Sequence, residues 1–518
     1  MNEPLIHFET LGCRLNHDES EGAAHAFMRE GFSVGMDGIH SGISPVPSVR
    51  LAVVNTCTVT GKAEQKARRV IRMCLEHFPN AVVLVTGCYA ELEKSSIQAL
   101  SAERVSILPG TKKHLLAELP AAMCGGGALS VFEGRFSKTS LDAFLLFGAK
   151  PPVVVSAQAA CVKRMEAVPS PGQFVLYTPV FSRHSRASLK IQDGCDNACT
   201  FCRIHLARGR SVSLDADEVL RRVQELERQG RAEVVFTGVN LSQYRGRSQA
   251  GGEIDFAGIL QQAILQTERI KFRISSFYPQ HVTERLCEVI SHRRVQPSFH
   301  LSVQSGSGAV LSRMARPYGP DDVLLAVKRL RAAKHEPFVS CDIIAGFPGE
   351  TKQDFELTQR LCTEVDFAWI HAFPFSPRPG TPAANMDFQV PDNVKAERVR
   401  WLTDYAVCAK MRYISAWSGK TVEAVVEDSR TQNAGTVHAV TENFLHVECP
   451  LPPGNEAPLP GTVANIKLLC AEEDLIRSGA EIDCLGEYRG SASAWAADVN
   501  RSHSALQTPA AFSPEANI

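Results

Sequence analysis

The sequence has no long apolar run and no export signal. Nowhere in its 518 residues does a stretch approach the ~20 apolar residues that a membrane-spanning helix requires. The first residues, Met1 to His7, lack the basic start and the apolar run of a signal peptide. We therefore expect a soluble, cytoplasmic protein that does not use a membrane.

An excess of charge of either sign is also missing. The chain has 55 Lys+Arg against 56 Asp+Glu. This balance excludes a protein that holds nucleic acid by bulk charge alone, so any RNA contact must come from a local basic patch. A hydrophobic content of 44% excludes wholesale disorder, and the length predicts about three domains.

Cysteine, by contrast, is abundant, with 16 residues in the chain. A long chain in a reducing compartment keeps its thiols reduced. Clustered cysteines in such a chain point to metal binding or catalysis rather than to disulfides. Their positions therefore decide which of them matter.

Residues 1–120 predict an α/β domain with a parallel sheet, because short apolar strands alternate with amphipathic helices. The predicted elements are strands at 6–10, 51–54 and 81–85 and helices at 19–29 and 63–78. Each strand ends within two or three residues of a cysteine, namely Cys13, Cys57 or Cys88. Since ligands bind beyond the carboxyl ends of parallel strands, these three cysteines should converge at one edge of the sheet.

The stretch 121–182 mixes glycine and proline with short apolar runs, and we interpret it as a linker with one or two strands. From 183 to 416 strand and helix alternate again in units of about 35 residues, which predicts a partial (β/α)6 barrel with polar strand ends at one mouth. The predicted strands lie at 189–191, 233–237, 271–275, 299–303, 339–344 and 369–373.

The C-terminal part loses the helical period. Residues 417–475 alternate apolar with polar side chains between glycine-containing turns, which indicates a small antiparallel β-barrel of the OB type. Residues 485–518 are rich in Ser, Ala and Asn without periodicity, and we expect this tail to be disordered.

Three cysteines lie within eight residues at the mouth of the predicted barrel: Cys195, Cys199 and Cys202. A structural zinc ion takes four closed ligands, and no fourth ligand follows at the usual spacing, although His205 is near. An iron–sulfur cube held by three thiolates leaves one iron open for a substrate. The triplet favours such a cluster, and zinc or structural thiols are the alternatives.

This C-x3-C-x2-C triplet resembles that of the radical S-adenosylmethionine (SAM) enzymes, in which the open iron chelates SAM. Short segments at the ends of the later strands are also similar to segments of that superfamily. Taken singly, each could equally be an ordinary turn or helix cap. A glycine there permits close backbone approach to the ligand, and polar side chains offer hydrogen bonds. The resemblance implies SAM contacts from Gly238, Asn240, Ser275, Gln304 and Asp342.

Three N-terminal motifs narrow the resemblance to the methylthiotransferase family. They are Leu11-Gly12-Cys13-Arg14-Leu15-Asn16, Asn55-Thr56-Cys57-Thr58-Val59-Thr60 and Thr86-Gly87-Cys88-Tyr89-Ala90. That family's layout implies a second [4Fe-4S] cluster on Cys13, Cys57 and Cys88, and a C-terminal barrel called TRAM. Buried packing is the alternative for three separated cysteines.

The resemblance implies a transferase that uses two [4Fe-4S] clusters and SAM. In this family one cluster cleaves SAM to a 5′-deoxyadenosyl radical, which takes a hydrogen from a C–H bond, and the other supplies the sulfur of a methylthio group. An electron donor, which the sequence does not identify, is also required.

The motifs around Cys13 and Cys57 look most like the enzyme that modifies C2 of N6-threonylcarbamoyladenosine in tRNA, next to the anticodon. The alternatives are the relative that acts on isopentenyladenosine of tRNA and the relative that acts on an aspartate of a ribosomal protein. From other classes, an electron-transfer protein with two clusters or an RNA-binding module with zinc knuckles remains open.

Basic residues cluster beside the triplet, and Arg203, Arg208 and Arg210 are predicted to contact tRNA phosphates. A solvated loop face is the alternative. Between Ser418 and Cys470, however, three Lys or Arg stand against six Asp or Glu. The terminal barrel therefore either binds RNA through a basic face that these totals conceal or contributes little to tRNA affinity.

Overall fold

The computed structural model describes residues 5–40, 42, 44–124, 130, 134, 136–147, 171–180, 185–249, 251–428, 435–451, 458–478 and 482–492. These residues form an N-terminal α/β domain, a central partial barrel and a C-terminal β-barrel, which confirms the predicted fold class. Within the described ranges, no helix is both long and apolar enough to cross a membrane.

The N-terminal domain is a parallel sheet flanked by helices. Its strands are β1 Ile6–Thr10, β2 Val34–Gly35, β3 Leu51–Thr56, β4 Val82–Gly87 and β5 Val105–Ile107. Its helices are α1 Arg14–Arg29, α2 Gly61–His77, α3 Cys88–Leu92, α4 Lys94–Gln98, α5 Leu115–Cys124 and α6 Lys138–Phe147. The sheet order is β2-β1-β3-β4-β5. Sequence reasoning missed β2 and β5, which are too short to show a period.

Apolar side chains cover both faces of this sheet, as a parallel sheet requires. One core contains Phe27 of α1 and Leu141 of α6, and the other contains Ile71 of α2. Helix α6 lies in the predicted linker, whose described residues do not form the expected strands. Its Leu141 and Phe144 are instead buried against the sheet.

The central domain carries the six predicted parallel strands and further short ones. Its strands are β6 Ala187–Lys190, β7 Gln192–Asp193, β8 Val212–Ser213, β9 Glu233–Thr237, β10 Arg245–Arg247, β11 Glu253–Asp255, β12 Lys271–Ile274, β13 Ser298–Gln304, β14 Phe338–Ala345 and β15 Trp369–Pro374. Its helices are α7 Ile204–Arg208, α8 Ala216–Arg228, α9 Phe256–Leu265, α10 Glu284–Ile290, α11 Gly308–Arg313, α12 Pro320–Ala333, α13 Lys352–Val365 and α14 Asp392–Trp417.

The parallel strands pair in chain order as β6-β9-β12 and β13-β14-β15. Isolated bridges, Phe272 to Val295 and Phe277 to Leu301, join the two halves. In the part of the chain described, β6 and β15 remain edges, so the barrel is partial.

The C-terminal strands close into a barrel in the order β16-β17-β18-β20-β19. They are β16 Thr421–Val426, β17 Thr436–Thr441, β18 His446–Pro450, β19 Val463–Ala471 and β20 Cys484–Ser491, with α15 Glu473–Ser478 before the last strand. The predicted start of a disordered tail at residue 485 was therefore wrong. Strand β20 gave no clear period because Gly486 and Gly490 interrupt it and its pairing with β19 shifts register. Residues 493–518 lie outside the described residues.

Ion pairs attach this terminal barrel to the central domain. Lys271 pairs with Glu423, and Arg186 Nη2 lies 2.9 Å from Glu427 Oε1. Arg273 donates to two backbone carbonyl oxygens at the end of β17. Part of the barrel's acidic excess is thus paired with basic side chains of its own chain.

Candidate functional site

Three cysteines meet at the carboxyl edge of the N-terminal sheet. Cys13 caps α1, Cys57 directly follows β3, and Cys88 directly follows β4. Cys57 and Cys88 are buried. Burial raises the pKa of the Cys57 thiol to about 11, and the nearby Cys13 and Cys88 thiols add to the shift. The structure therefore brings the three predicted side chains together.

Two glycines allow this approach. Gly12 has φ +102°, and a Cβ there would lie 2.3 Å from Cβ of Cys57. Gly87 has φ +97°, and a Cβ there would lie 2.2 Å from the carbonyl oxygen of Thr56. Each glycine directly precedes a cysteine, so the strand ends can turn and close up only because these residues have no side chain.

The second cysteine set lies in the loop between β7 and α7, at the mouth of the partial barrel. The Cys195 N–H donates to the Gly209 carbonyl at 3.0 Å, which closes the base of the loop. Cys199 is buried. Burial raises the pKa of the Cys202 thiol to about 11, and the thiols of Cys199 and Cys195 add to this shift.

An arginine and a tyrosine lie against Cys199. Arg316 Nη1 donates to the Cys199 sulfur at 3.1 Å and to Tyr278 Oη at 2.8 Å. The Arg316 guanidinium also lies 4.2 Å from the centroid of the Tyr278 ring. Arg316 thus places a cationic hydrogen-bond donor at the sulfur of Cys199. Sequence reasoning missed both residues, since Arg316 is 117 positions from Cys199 and no local motif connects them.

The predicted SAM contacts lie at or near the ends of four strands. Gly238 and Asn240 follow β9, Ser275 follows β12, Gln304 ends β13 and Asp342 lies within β14. Gln304 is buried, and its backbone has a left-handed conformation with φ 70°. Asp342 Oδ2 is 3.1 Å from Nε2 of His300 on the neighbouring strand. Of the five, Asp342 is the one set back from the strand end.

Unsatisfied polar atoms mark the same mouth. The buried Asn240 side chain interacts with the Cys195 thiol, and within the described residues no nitrogen or oxygen atom is a hydrogen-bond partner of its amide group. Ser275 Oγ is also buried and unpartnered there. Buried polar atoms are rarely left without partners. These two side chains therefore fit a polar ligand with both donors and acceptors, such as the amino-acid part of SAM.

The cysteine sets do not resemble a mononuclear metal site. Across the described part of the chain, no three His, Cys, Asp or Glu side chains converge closely enough to hold one ion. Iron–sulfur clusters are held by cysteine thiolates, and each thiolate of a four-iron cube binds a different iron. Two sets of three thiols, neither arranged to hold a single ion, fit such clusters.

Two of the arginines predicted to contact tRNA are buried between domains. Arg203 Nη1 lies 3.1 Å from Glu64 Oε1, and its Nη2 lies 2.8 Å from Glu93 Oε1. The Arg208 side chain is 8% exposed. The predictions for Arg203 and Arg208 were wrong, because a local charge count does not register carboxylates from another domain. The Arg210 side chain is 90% exposed, with Nε 3.1 Å from Asp196 Oδ1.

Arg208 connects the two cysteine sets. It ends the helix that follows the central triplet, and its Nε donates to the sulfur of Cys88 at 3.3 Å. Its Nη1 lies 3.1 Å from Glu19 and 2.9 Å from Asp193, and its Nη2 donates to Asn16 Oδ1 at 2.8 Å. One guanidinium thus contacts the cysteine-bearing ends of both domains.

Replacing Arg208 with Met should leave the buried Glu19 and Asp193 partly uncompensated. We expect the free energy of unfolding to fall by about 3 kcal/mol, the loss typical of breaking a buried ion pair. Chemical denaturation of the apoprotein measures it. Arg210→Met removes an exposed guanidinium and should change stability by less than ~0.5 kcal/mol. Equal losses in both variants would contradict the network's role.

Comparison with known proteins gives matches along most of the chain. Residues 189–362 match the family model described as the radical SAM superfamily, and residues 5–108 match one described as uncharacterized protein family UPF0004. The threonylcarbamoyladenosine tRNA methylthiotransferase MtaB of Treponema pallidum (strain Nichols) is 45% identical over 471 residues, which cover 85% of this chain and 93% of that protein.

Two more distant matches complete the comparison. A tRNA-2-methylthio-N(6)-dimethylallyladenosine synthase of Anaplasma phagocytophilum (strain HZ) is 28% identical over 87% of this chain and 93% of that protein. Among solved structures, the radical S-adenosylmethionine methyltransferase TsrM from Kitasatospora setae gives a TM-score of 0.48 at 15% identity, over 74% of each chain.

Proposed function

This chain belongs to the threonylcarbamoyladenosine tRNA methylthiotransferase family, and on that premise we propose that it adds a methylthio group to C2 of N6-threonylcarbamoyladenosine in tRNA, next to the anticodon. The observation that carries the proposal is the pair of cysteine sets at one domain junction, joined by Arg208. An enzyme that joins sulfur to a carbon activated by SAM needs both sets near one substrate.

The radical SAM domain, residues 189–362, implies SAM and one [4Fe-4S] cluster. When bound, they supply a radical that can remove hydrogen from an unreactive C–H bond, which no side chain can do. Cys195, Cys199 and Cys202 would hold this cluster. Asn240 and Ser275 offer the unpartnered polar atoms to hold SAM beside it.

A second cluster, on Cys13, Cys57 and Cys88, would supply the sulfur. The position of the three thiols at one edge of the sheet, near enough for the charge of Cys88 to raise the pKa of Cys13 and of Cys57, supports it. The Nε–H of Arg208 donates to the Cys88 sulfur. Such a hydrogen bond would support Cys88 as a cluster ligand.

Contacts between domains keep the two cysteine sets in register. Arg378, in the segment after β15, donates to the Thr58 carbonyl at 2.9 Å and pairs with Glu64. Glu64 also pairs with Arg203, just after the central triplet. The loop that carries Cys57 is thereby tied to two segments of the central domain, one before α7 and one after β15.

Mass spectrometry of tRNA nucleosides tests the proposed reaction. Cells that lack the protein should lose 2-methylthio-N6-threonylcarbamoyladenosine, and N6-threonylcarbamoyladenosine should accumulate in its place. Expression of the wild-type chain should restore the modified nucleoside. If these cells instead lose the methylthiolated isopentenyladenosine, the proposed substrate is wrong. The substrate is then isopentenyladenosine, as for the other tRNA-modifying relatives.

A further inference from the structure

The N-terminal domain presents a basic helix surface that the chemistry described above does not use. Helix α2 begins just after the Cys57 loop, and four of its basic side chains are exposed: Lys62, Lys66, Arg69 and Arg72. Among the described residues none of the four forms an ion pair or another polar side-chain interaction. We call these four residues the α2 basic face.

Helical geometry gathers these residues on one side. At about 100° per residue, the four side chains fall within an arc of roughly 120°. The opposite side of the helix buries Ala67, Ile71 and Cys74 in the domain core. Of the two acidic residues in α2, Glu76 lies at the far end, and Glu64 is held in ion pairs with arginines of the central domain. The exposed side is therefore positive over most of its length.

This face starts at the junction of the two cysteine sets. A Cβ on Gly61, the first residue of α2, would lie 3.4 Å from Arg378 Nη1 and 3.5 Å from Ser376 Oγ, both beyond the end of β15. Val59, between Cys57 and the helix, is 57% exposed. From Lys62 to Arg72 the helix extends for ~15 Å. The face therefore begins beside residues of the central domain that lie near the Cys57 loop, and it ends ~15 Å further along the helix.

We propose that the α2 basic face binds backbone phosphates of tRNA and so directs the anticodon loop to the junction. This inference rests on the proposed function. Lysine and arginine contacts to phosphates supply most of the non-specific affinity for nucleic acid. The other candidates offer less, since Arg203 and Arg208 are buried in ion pairs, the exposed Arg210 is a single charge beside Asp196, and the terminal barrel is net acidic.

A charge-neutralised variant tests the proposal in the full-length protein. Lys62, Lys66, Arg69 and Arg72 are all changed to Gln, and tRNA purified from cells lacking the protein is titrated by fluorescence anisotropy over a salt series. We expect Kd to rise at least about tenfold near ~0.15 M salt. The slope of log Kobs against log salt should fall by about 0.7–0.9 for each phosphate that the variant no longer neutralises.

Two further variants test whether the change in tRNA affinity is specific to the positive charge of the α2 basic face. The matched control changes four exposed basic residues on α12, α13 and α14 to Gln, with the same loss of charge: Lys328, Arg331, Arg360 and Arg400. Its Kd should stay within about twofold of the wild type. A charge-conserving variant with K62R, K66R, R69K and R72K should retain tRNA binding, since phosphate positioning needs the charge more than a particular head group.

Several outcomes would overturn the inference. If the neutralised α2 variant keeps the Kd and salt slope of a wild-type protein that modifies tRNA, the inference is wrong and the proposed function stands. If it binds tRNA normally, is reduced by a protein donor more slowly than the wild type is, and is reduced by dithionite at the wild-type rate, then the face receives the reductant instead. If the wild-type protein does not bind tRNA, both the proposed function and this inference are wrong.

Discussion

Replacement of Cys199 with Ala is expected to abolish cleavage of SAM. Cys199 is the buried member of the central triplet, and Arg316 Nη1 donates to its sulfur at 3.1 Å. Its removal leaves two thiolates for a cluster that needs three. Changing a residue that merely supports a metal ligand costs 10–100-fold, so removal of the ligand itself should cost more than ~100-fold.

Formation of 5′-deoxyadenosine with dithionite as the reductant, followed by chromatography, measures this loss. The matched control is Cys408→Ala, which removes an exposed thiol on α14 and should leave the rate unchanged. An undiminished rate in Cys199→Ala would show that the triplet does not hold the cluster that binds SAM.

Replacement of Cys57 with Ala should separate the two halves of the reaction. The variant should still cleave SAM, because its central triplet is intact, but should form no methylthiolated nucleoside. Cys57 is buried beside Gly12, and the Cys13 and Cys88 thiols lie near enough to raise its pKa. We expect iron to fall from about eight to about four atoms per chain, the content of one cube.

Iron analysis, 5′-deoxyadenosine assay and nucleoside mass spectrometry on the same preparation measure these effects. Cys74→Ala is the control in the same domain, since Cys74 lies on the buried side of α2, in the domain core, and not at the sheet edge. It should lower the melting temperature but retain both iron and product. Methylthiolated product from Cys57→Ala would show that the N-terminal cysteines are not needed for sulfur insertion.

Local pattern predicted the elements that carry the cysteines. Strands β3 and β4 are short, wholly buried apolar runs, and each ends at a cysteine, so the composition of a few residues was enough to place Cys57 and Cys88 at one edge. The order of the six barrel strands followed from the same alternation of strand and helix. Strand β20 was not predicted, because its glycines and its bulged pairing disturb the alternation of apolar and polar residues on which such a prediction depends.

Partners distant in the sequence account for what prediction missed. Arg208 looked like a surface cation because its immediate neighbours are basic, whereas the carboxylate of Glu19 is 189 positions away. Arg316 reaches Cys199 from the residues after α11. Such pairs are fixed by how two domains pack, and a single sequence gives no signal for that packing.

The polar side of α1 has a consequence for how the protein is made. Asp18 accepts a hydrogen bond from Ser188, and Glu19 pairs with Lys190 and Arg208, all in the central domain. During synthesis these carboxylates emerge long before their partners. Until the barrel strands follow, the N-terminal domain has an incomplete polar surface, and its cysteine edge lacks the arginine that steadies Cys88. The cysteine edge of the N-terminal domain therefore gains its full set of polar contacts only after the two domains have docked.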